Sequence, residues 1–270
     1  MYEVLTLNKI AKCGLDMLDK GIFNITDSSD APDAIILRSF SMHDMELPDS
    51  LKAIARAGAG VNNIPIDKCS EKGIAVFNTP GANANAVAEL TIAGLLLSSR
   101  KITDGINWAK GLKGEGENVG KLVEKGKSAF VGPEIRGKTL GVIGLGAIGV
   151  MVANLADSLG MKVIGYDPYI SIDAAWGLSR TVKKSSDLKM LVSQCDYITM
   201  HLPLNDATKN MINEEVFDAM ENGTRLLNFA RGGLVDNAAL KAAAASGKIA
   251  CYVTDFPSEE TLDIENAINI

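Results

Sequence analysis

Apolar and polar positions follow two periods along this chain. Short aliphatic and β-branched runs recur at Val4–Leu7, Ala34–Leu37, Lys52–Ala55, Ala75–Asn78, Thr139–Gly144, Lys162–Tyr166, Tyr197–His201, Arg225–Phe229 and Tyr252–Asp255. Each is followed by a stretch with helical spacing. Leu140-Gly-Val-Ile143 and Val163-Ile-Gly-Tyr166 are apolar on both parities, the pattern of a strand covered on both faces, and hence of a parallel sheet. Crossovers of about 25–35 residues between runs fit βαβ units. Ala84–Arg100 reads as one long helix with little polar relief, packed between units or subunits. The glycine-rich, charged Gly111–Asn118 reads as an exposed loop. The expected organisation is α/β, one unit over 1–99 and a second over 100–270, sharing an architecture without a residue-level repeat.

Composition narrows the function classes. With 270 residues, 47% of them hydrophobic and 22% charged, one or two globular domains are expected. Lys plus Arg number 27 against 33 Asp plus Glu, a formal charge of −6, which argues against a nucleic-acid binder. An anionic ligand must therefore be met by a few placed arginines. Four scattered cysteines, with no C-x-x-C pair and two histidines in all, argue against a metal site and suit small core residues in a reducing compartment. The opening Met-Tyr-Glu-Val-Leu-Thr-Leu lacks the basic and long apolar regions of a signal peptide. The most apolar stretch, Ala84–Ser99, carries Asn85 and Glu89 and is too short to span a bilayer. These features predict a cytoplasmic protein with no membrane partner.

The strongest motif is Gly144-Leu-Gly146-Ala147-Ile148-Gly149, directly after the run Thr139–Ile143 and directly before the helical stretch Val150–Leu159. The first glycine allows a tight turn, the second lets backbone approach a pyrophosphate, and the third lets helix pack on strand. The helix N-terminus then offers free N–H groups and a positive dipole end. The next run ends in Asp167, placed to accept hydrogen bonds from ribose hydroxyls and to repel a 2′-phosphate. Pro168 and Tyr169 follow, with no cation to welcome that phosphate, so NAD is expected rather than NADP. Fold class and motif together predict Rossmann-like doubly wound parallel sheets.

Three further segments, Thr79–Leu90, His201-Leu-Pro203-Leu and Ala230-Arg-Gly-Gly-Leu-Val-Asp236, resemble the D-isomer-specific 2-hydroxyacid dehydrogenases from about residue 34 onward. Arg56–Asn63 and Tyr252–Pro257 are similar to the members that act on a phosphorylated substrate. The resemblance implies a substrate-binding, flavodoxin-like unit at 1–99 and an NAD-binding unit at 100–270. It implies NAD-dependent oxidation of 3-phospho-D-glycerate to 3-phosphohydroxypyruvate, the first step of serine synthesis, on a homodimer paired through the NAD-binding unit.

Arg231 follows the apolar run Leu226–Phe229, at a strand end where α/β sheets bind ligands. A planar guanidinium there can hold a 2-oxo acid's carboxylate and carbonyl at once, and the resemblance assigns it that role. By resemblance, Ala230, His201 and Pro203 line the cofactor groove and Asp255 binds the nicotinamide carboxamide. The supporting glutamate is Glu260 by ungapped spacing, or Glu259 if the loop is one residue shorter. Arg38 with Ser39, and Arg56, sit where the family takes its phosphate and carboxylate contacts, with Asn78 and Gly81 nearby.

The family's acid/base histidine stands in a Pro-His pair just after a final strand. The segment Leu262–Ile270 resembles that strand, and the sequence stops there. The expectation is a chain cut at its carboxy end, without that histidine and without the last helix of the first unit. His43 is expected to be exposed and His201 to line the dinucleotide groove. The alternatives are another member of the group, such as a glyoxylate or hydroxypyruvate reductase or a formate dehydrogenase, and an NAD-sensing regulator without turnover. An S-adenosylhomocysteine-hydrolase-like enzyme is argued against by the Ala-Arg-Gly-Gly segment.

Overall fold

The computed structural model describes Met1–Ile270 and divides into two compact units, Met1–Asn83 and Ala84–Ile270. The first contains β1 (Tyr2–Leu7), α1 (Lys12–Leu15), β2 (Phe23–Thr26), β3 (Ala34–Leu37), β4 (Ala53–Arg56), α2 (Ile66–Glu71) and β5 (Ala75–Asn78). Its five strands are parallel in the order β2-β1-β3-β4-β5. Ile35, Leu37 and Ile54 are fully buried in its core with Met42, Leu51 and Ile64. The helices are short and α1 buries nothing, so β3 alternates between buried and half-buried positions. Phe77 on β5 remains 60% exposed. Cover on both faces is thus a property of the second unit and not of this one.

The second unit contains α3 (Ala84–Arg100), α4 (Ile102–Gly111), α5 (Val119–Gly126), β6 (Thr139–Ile143), α6 (Ala147–Ser158), β7 (Lys162–Tyr166), α7 (Ile172–Gly177) and β8 (Lys183–Lys184). It continues through α8 (Leu188–Val192), β9 (Tyr197–Met200), α9 (Glu214–Ala219), β10 (Thr224–Asn228), α10 (Asn237–Ala245), β11 (Ile249–Thr254), α11 (Glu259–Leu262) and β12 (Ala267–Asn269). Seven parallel strands run β12-β11-β10-β9-β6-β7-β8, so the order reverses between β6 and β9. That is the switch point of a doubly wound sheet, where a crevice opens at the strand ends. All four residues of β9 are buried, as are Leu140–Ile143 of β6, because helices cover both faces.

The division falls ahead of the expected 99/100 boundary, and α3 belongs to the second unit. Ser99 Oγ lies 2.8 Å from the buried Tyr197 hydroxyl, and Arg225 Nε donates to the Ser98 carbonyl at 2.9 Å. At Gly94 a Cβ would meet the Phe229 ring at 2.7 Å, so the helix lies close on the sheet. The expected final strand over Leu262–Ile270 is also corrected. Ser258 caps α11 through a box with Thr261, which keeps Leu262 helical and leaves only Ala267–Asn269 paired to β11. Cys69, Cys195 and Cys251 are buried, but Cys13 is exposed on the short α1. No helix is long and apolar enough to cross a membrane.

Candidate functional site

In the second unit the strand ends are aligned. Ile143 of β6 pairs with Tyr166 and with Met200, Met200 with Asn228, and Asn228 with Thr254. The residues that leave these ends, Gly144, Asp167, His201, Ala230–Arg231 and Asp255, therefore emerge along one edge of one sheet. Five predicted positions, scattered over the sequence, become one row.

The three glycines of the loop have separate reasons. Gly144 has φ +90°, and a Cβ there would sit 2.7 Å from the His201 carbonyl. Gly149 lies buried at the start of α6, where a Cβ would strike the Gly144 carbonyl. Gly146 has extended backbone and caps α6 without a side-chain partner; nothing lies within 4 Å of where its Cβ would be. The first and third positions are filled by protein, while the second faces open space beside the helix N-terminus. Ala147 and Ile148 open that helix, whose first N–H groups carry the positive dipole end.

Asp167 accepts from Leu145 N–H through Oδ2 at 2.8 Å and from Tyr169 N–H through Oδ1 at 2.8 Å. It thereby fixes the glycine loop as well as standing at the end of β7. His201 is half-buried, and desolvation of its ring lowers its pKa to about 4, so the imidazole is neutral near pH 7. Its Nε2 lies 3.1 Å from Thr199 Oγ1, and its buried Nδ1 has no partner. Pro203 is exposed and its carbonyl accepts from Thr208. Asp255 also has a buried oxygen without a partner, Oδ1. Burial raises its pKa, and the Arg231 charge draws it partly back.

Arg231 is half-buried with extended backbone, and its Nη1 donates to the Ala230 carbonyl at 2.6 Å. Glu259 and Glu260 lie exposed in the first turn of α11. The Ser258 hydroxyl holds the Glu260 carboxyl below its usual range. A pocket of about 420 Å³ opens beside Gly232 and Gly233 against Tyr252, Phe256 and Thr261.

The remaining predicted residues lie in the first unit. Leu37 pairs with Arg56 and Arg56 with Asn78, so Arg38, Arg56 and Asn78 mark three adjacent strand ends. Arg38, Ser39, Asn78 and Gly81 are exposed and Arg56 is half-buried. Arg56 Nε donates to the Arg38 carbonyl at 3.1 Å, and Asn78 Nδ2 donates to the Ala59 carbonyl at 2.7 Å. Two asparagines that the sequence reading passed over hold the loop after β3. Asn8 Oδ1 accepts from Ser39 and Phe40 N–H, and Asn63 Nδ2 donates to the Arg38 and Phe40 carbonyls. Asn8 has φ +71°, a conformation asparagine tolerates, which was a legible hint. His43 is exposed, with Nε2 at 2.9 Å from the Asn62 carbonyl.

A glycine loop at the switch point, an acid closing the second strand and unpartnered buried polar atoms at the neighbouring ends define a dinucleotide-binding protein. Residues 92–269 match the D-isomer specific 2-hydroxyacid dehydrogenase, NAD binding domain. The chain belongs to this family, and its cofactor is NAD. It is 38% identical over 231 residues to the D-3-phosphoglycerate dehydrogenase of Methanocaldococcus jannaschii, covering 84% of this chain and 42% of that protein. To the D-3-phosphoglycerate dehydrogenase of Synechocystis sp. it is 35% identical over 275 residues, covering 97% of this chain and 47% of that protein. The chain thus spans less than half the length of these curated relatives. Among solved structures, a glyoxylate reductase from Paecilomyes thermophila superposes with a TM-score of 0.81 at 26% identity, over 100% of this chain and 87% of that one. The NAD+-bound 3-phosphoglycerate dehydrogenase of Entamoeba histolytica gives 0.76 at 25% identity, over 100% and 86%.

Proposed function

We propose that this chain provides the cofactor- and substrate-binding parts of an NAD-dependent dehydrogenase that oxidises 3-phospho-D-glycerate to 3-phosphohydroxypyruvate, the first step of serine synthesis. The observation that carries the reading is the aligned row of strand ends, which sets Gly144, Asp167, His201, Arg231 and Asp255 along one edge. NAD accepts a hydride when bound; the chain's own residues supply alignment and charge. The Gly144–Gly149 turn and the α6 N-terminus hold the diphosphate, and Asp167 accepts from the ribose. Asp255 Oδ1 and His201 Nδ1 are buried acceptors or donors suited to polar groups of the dinucleotide. Arg231 orients the carboxylate and carbonyl of the acid, Glu260 supports the proton acceptor, and Arg38 and Arg56 hold the phosphate. His201 is neutral, with a buried and unpartnered Nδ1, which suits lining the groove.

Four free cysteines fit a reducing, cytoplasmic compartment. Helices α4 and α5 bury nothing within the chain and expose Ile102, Ile106 and Val119, which supports a homodimer formed through the second unit. The likeness to the glyoxylate reductase favours a second reading, an unphosphorylated 2-oxo acid as substrate. Titration of the NADH-saturated chain with 3-phospho-D-glycerate and with D-glycerate separates the two. The phosphorylated acid is expected to bind at least about tenfold more tightly, a margin lost in Arg38→Ala and Arg56→Ala. Equal affinity for both acids would overturn the phosphate assignment.

A further inference from the structure

Resting on the role given to Arg231 above, we infer that Asn228 is the positioning residue that fixes the Arg231 backbone. Asn228 is the last residue of β10 and is fully buried. Its Oδ1 accepts from Ala230 N–H at 3.2 Å and from Arg231 N–H at 3.3 Å. Its Nδ2 donates to the Arg231 carbonyl at 2.8 Å and to the Tyr252 hydroxyl at 3.3 Å. One carboxamide therefore holds both polar groups of the Arg231 main chain and ties them to β11.

The Asn228 carboxamide is fully buried, so leaving it unpaired would be costly. Tyr252 is buried, and burial raises its phenol pKa, keeping the hydroxyl protonated. Two consecutive glycines, conformationally permissive, follow Arg231, so the brace adds to the backbone bond from Leu234 N–H to the Arg231 carbonyl at 3.3 Å. The arginine's own Nη1 donates to the Ala230 carbonyl, a bond whose direction depends on the same braced turn. Asn228 touches no reacting atom by this account; it acts through Arg231.

Residue-resolved amide hydrogen exchange on the full chain, joined to oxalate binding as a mimic of a 2-oxo acid, tests this. In Asn228→Ala, and in the isosteric Asn228→Leu should alanine prevent folding, the Ala230 and Arg231 amides are expected to exchange at least about tenfold faster. The amides of Leu226 and Leu227 within β10 should change less than about threefold. Oxalate should bind the NADH-saturated variants about tenfold more weakly, with no further loss when Arg231→Ala is added. Asn228→Asp keeps the acceptor for both N–H groups and should restore slow exchange at Ala230 and Arg231. Unchanged exchange at these two amides, or equal acceleration throughout β10, would overturn the inference. Localised exchange together with no oxalate binding by the wild-type chain would uphold the brace and overturn the role of Arg231 itself.

Discussion

The two units present the same kind of strand end with opposite degrees of preparation. In the second, Gly144 and Gly149 are packed against backbone, and Asp167 is anchored to the loop it accompanies. In the first, Arg38, Ser39 and Asn78 stand in solvent, and what is fixed is the main chain beneath them, through Asn8 and Asn63. A dinucleotide is bound largely by main chain at a glycine turn, so its site must be rigid and is written into the packing. The phosphorylated acid proposed as substrate would be met by long cationic side chains, which need only a correct point of departure. Substitutions at the packed Gly144 and Gly149 and at Asp167 should act on stability and binding together, and those at the exposed Arg38 on binding alone.

The largest effect is expected at Gly149. A methyl group there meets the Gly144 carbonyl, and neither the strand end nor the helix start can yield without moving the other. Gly149→Ala should cost about 3 kcal/mol or more in urea unfolding; a stability within experimental error of wild type would show that the loop is looser than described. Next comes the pH dependence carried by His201. Its folded pKa of about 4 lies below the ordinary value near 6.5, so the unfolded chain binds the proton first as pH falls. The stability contributed by the neutral imidazole is complete above about pH 6.5 and drains away towards pH 4. Between pH 7 and pH 5 the loss should reach about 2 kcal/mol, and His201→Asn should flatten it. Identical pH slopes for the two proteins would remove His201 as the cause.

Asp167→Ala removes two backbone hydrogen bonds and the proposed ribose acceptor together. NADH affinity should fall by about tenfold or more, and NADPH should gain nothing, because the same change loosens the loop. A variant that binds NADPH well would separate the two tasks assigned to this carboxylate. The smallest stability effect belongs to Arg38→Ala, less than about 0.5 kcal/mol, because its side chain is exposed. A larger loss on chemical unfolding would mean that the first unit is built as tightly as the second.

Much of this was legible in advance, and for identifiable reasons. Ala34–Leu37, Lys162–Tyr166 and the helix Ala84–Arg100 stand where the hydrophobic pattern put them, because each buries apolar side chains, and Ala75–Asn78 stands there too although only Val76 of it is even partly buried. β2 (Phe23–Thr26) was not legible: it is a short edge strand with Asn24 and Thr26 in it. The two lysines of β8 carry no strand signal at all. The glycine loop and its acid could be read because their chemistry is local in sequence. The brace on Arg231 could not, since Tyr252 reaches Asn228 only once β10 and β11 lie side by side. Nor could the buried, unpartnered Nδ1 of His201, which depends on the sheet closing around β9.

The central claim is that Gly146 faces the dinucleotide while its two neighbours face protein, and one comparison tests it directly. Thermal unfolding and NADH titration of the wild-type chain and Gly146→Ala are measured side by side. The account predicts saturable NADH binding by the wild type. It predicts affinity at least about tenfold weaker in the variant, with a melting temperature within about 2 °C of wild type. Equal NADH affinity in the two proteins, or no binding by the wild type, would contradict it.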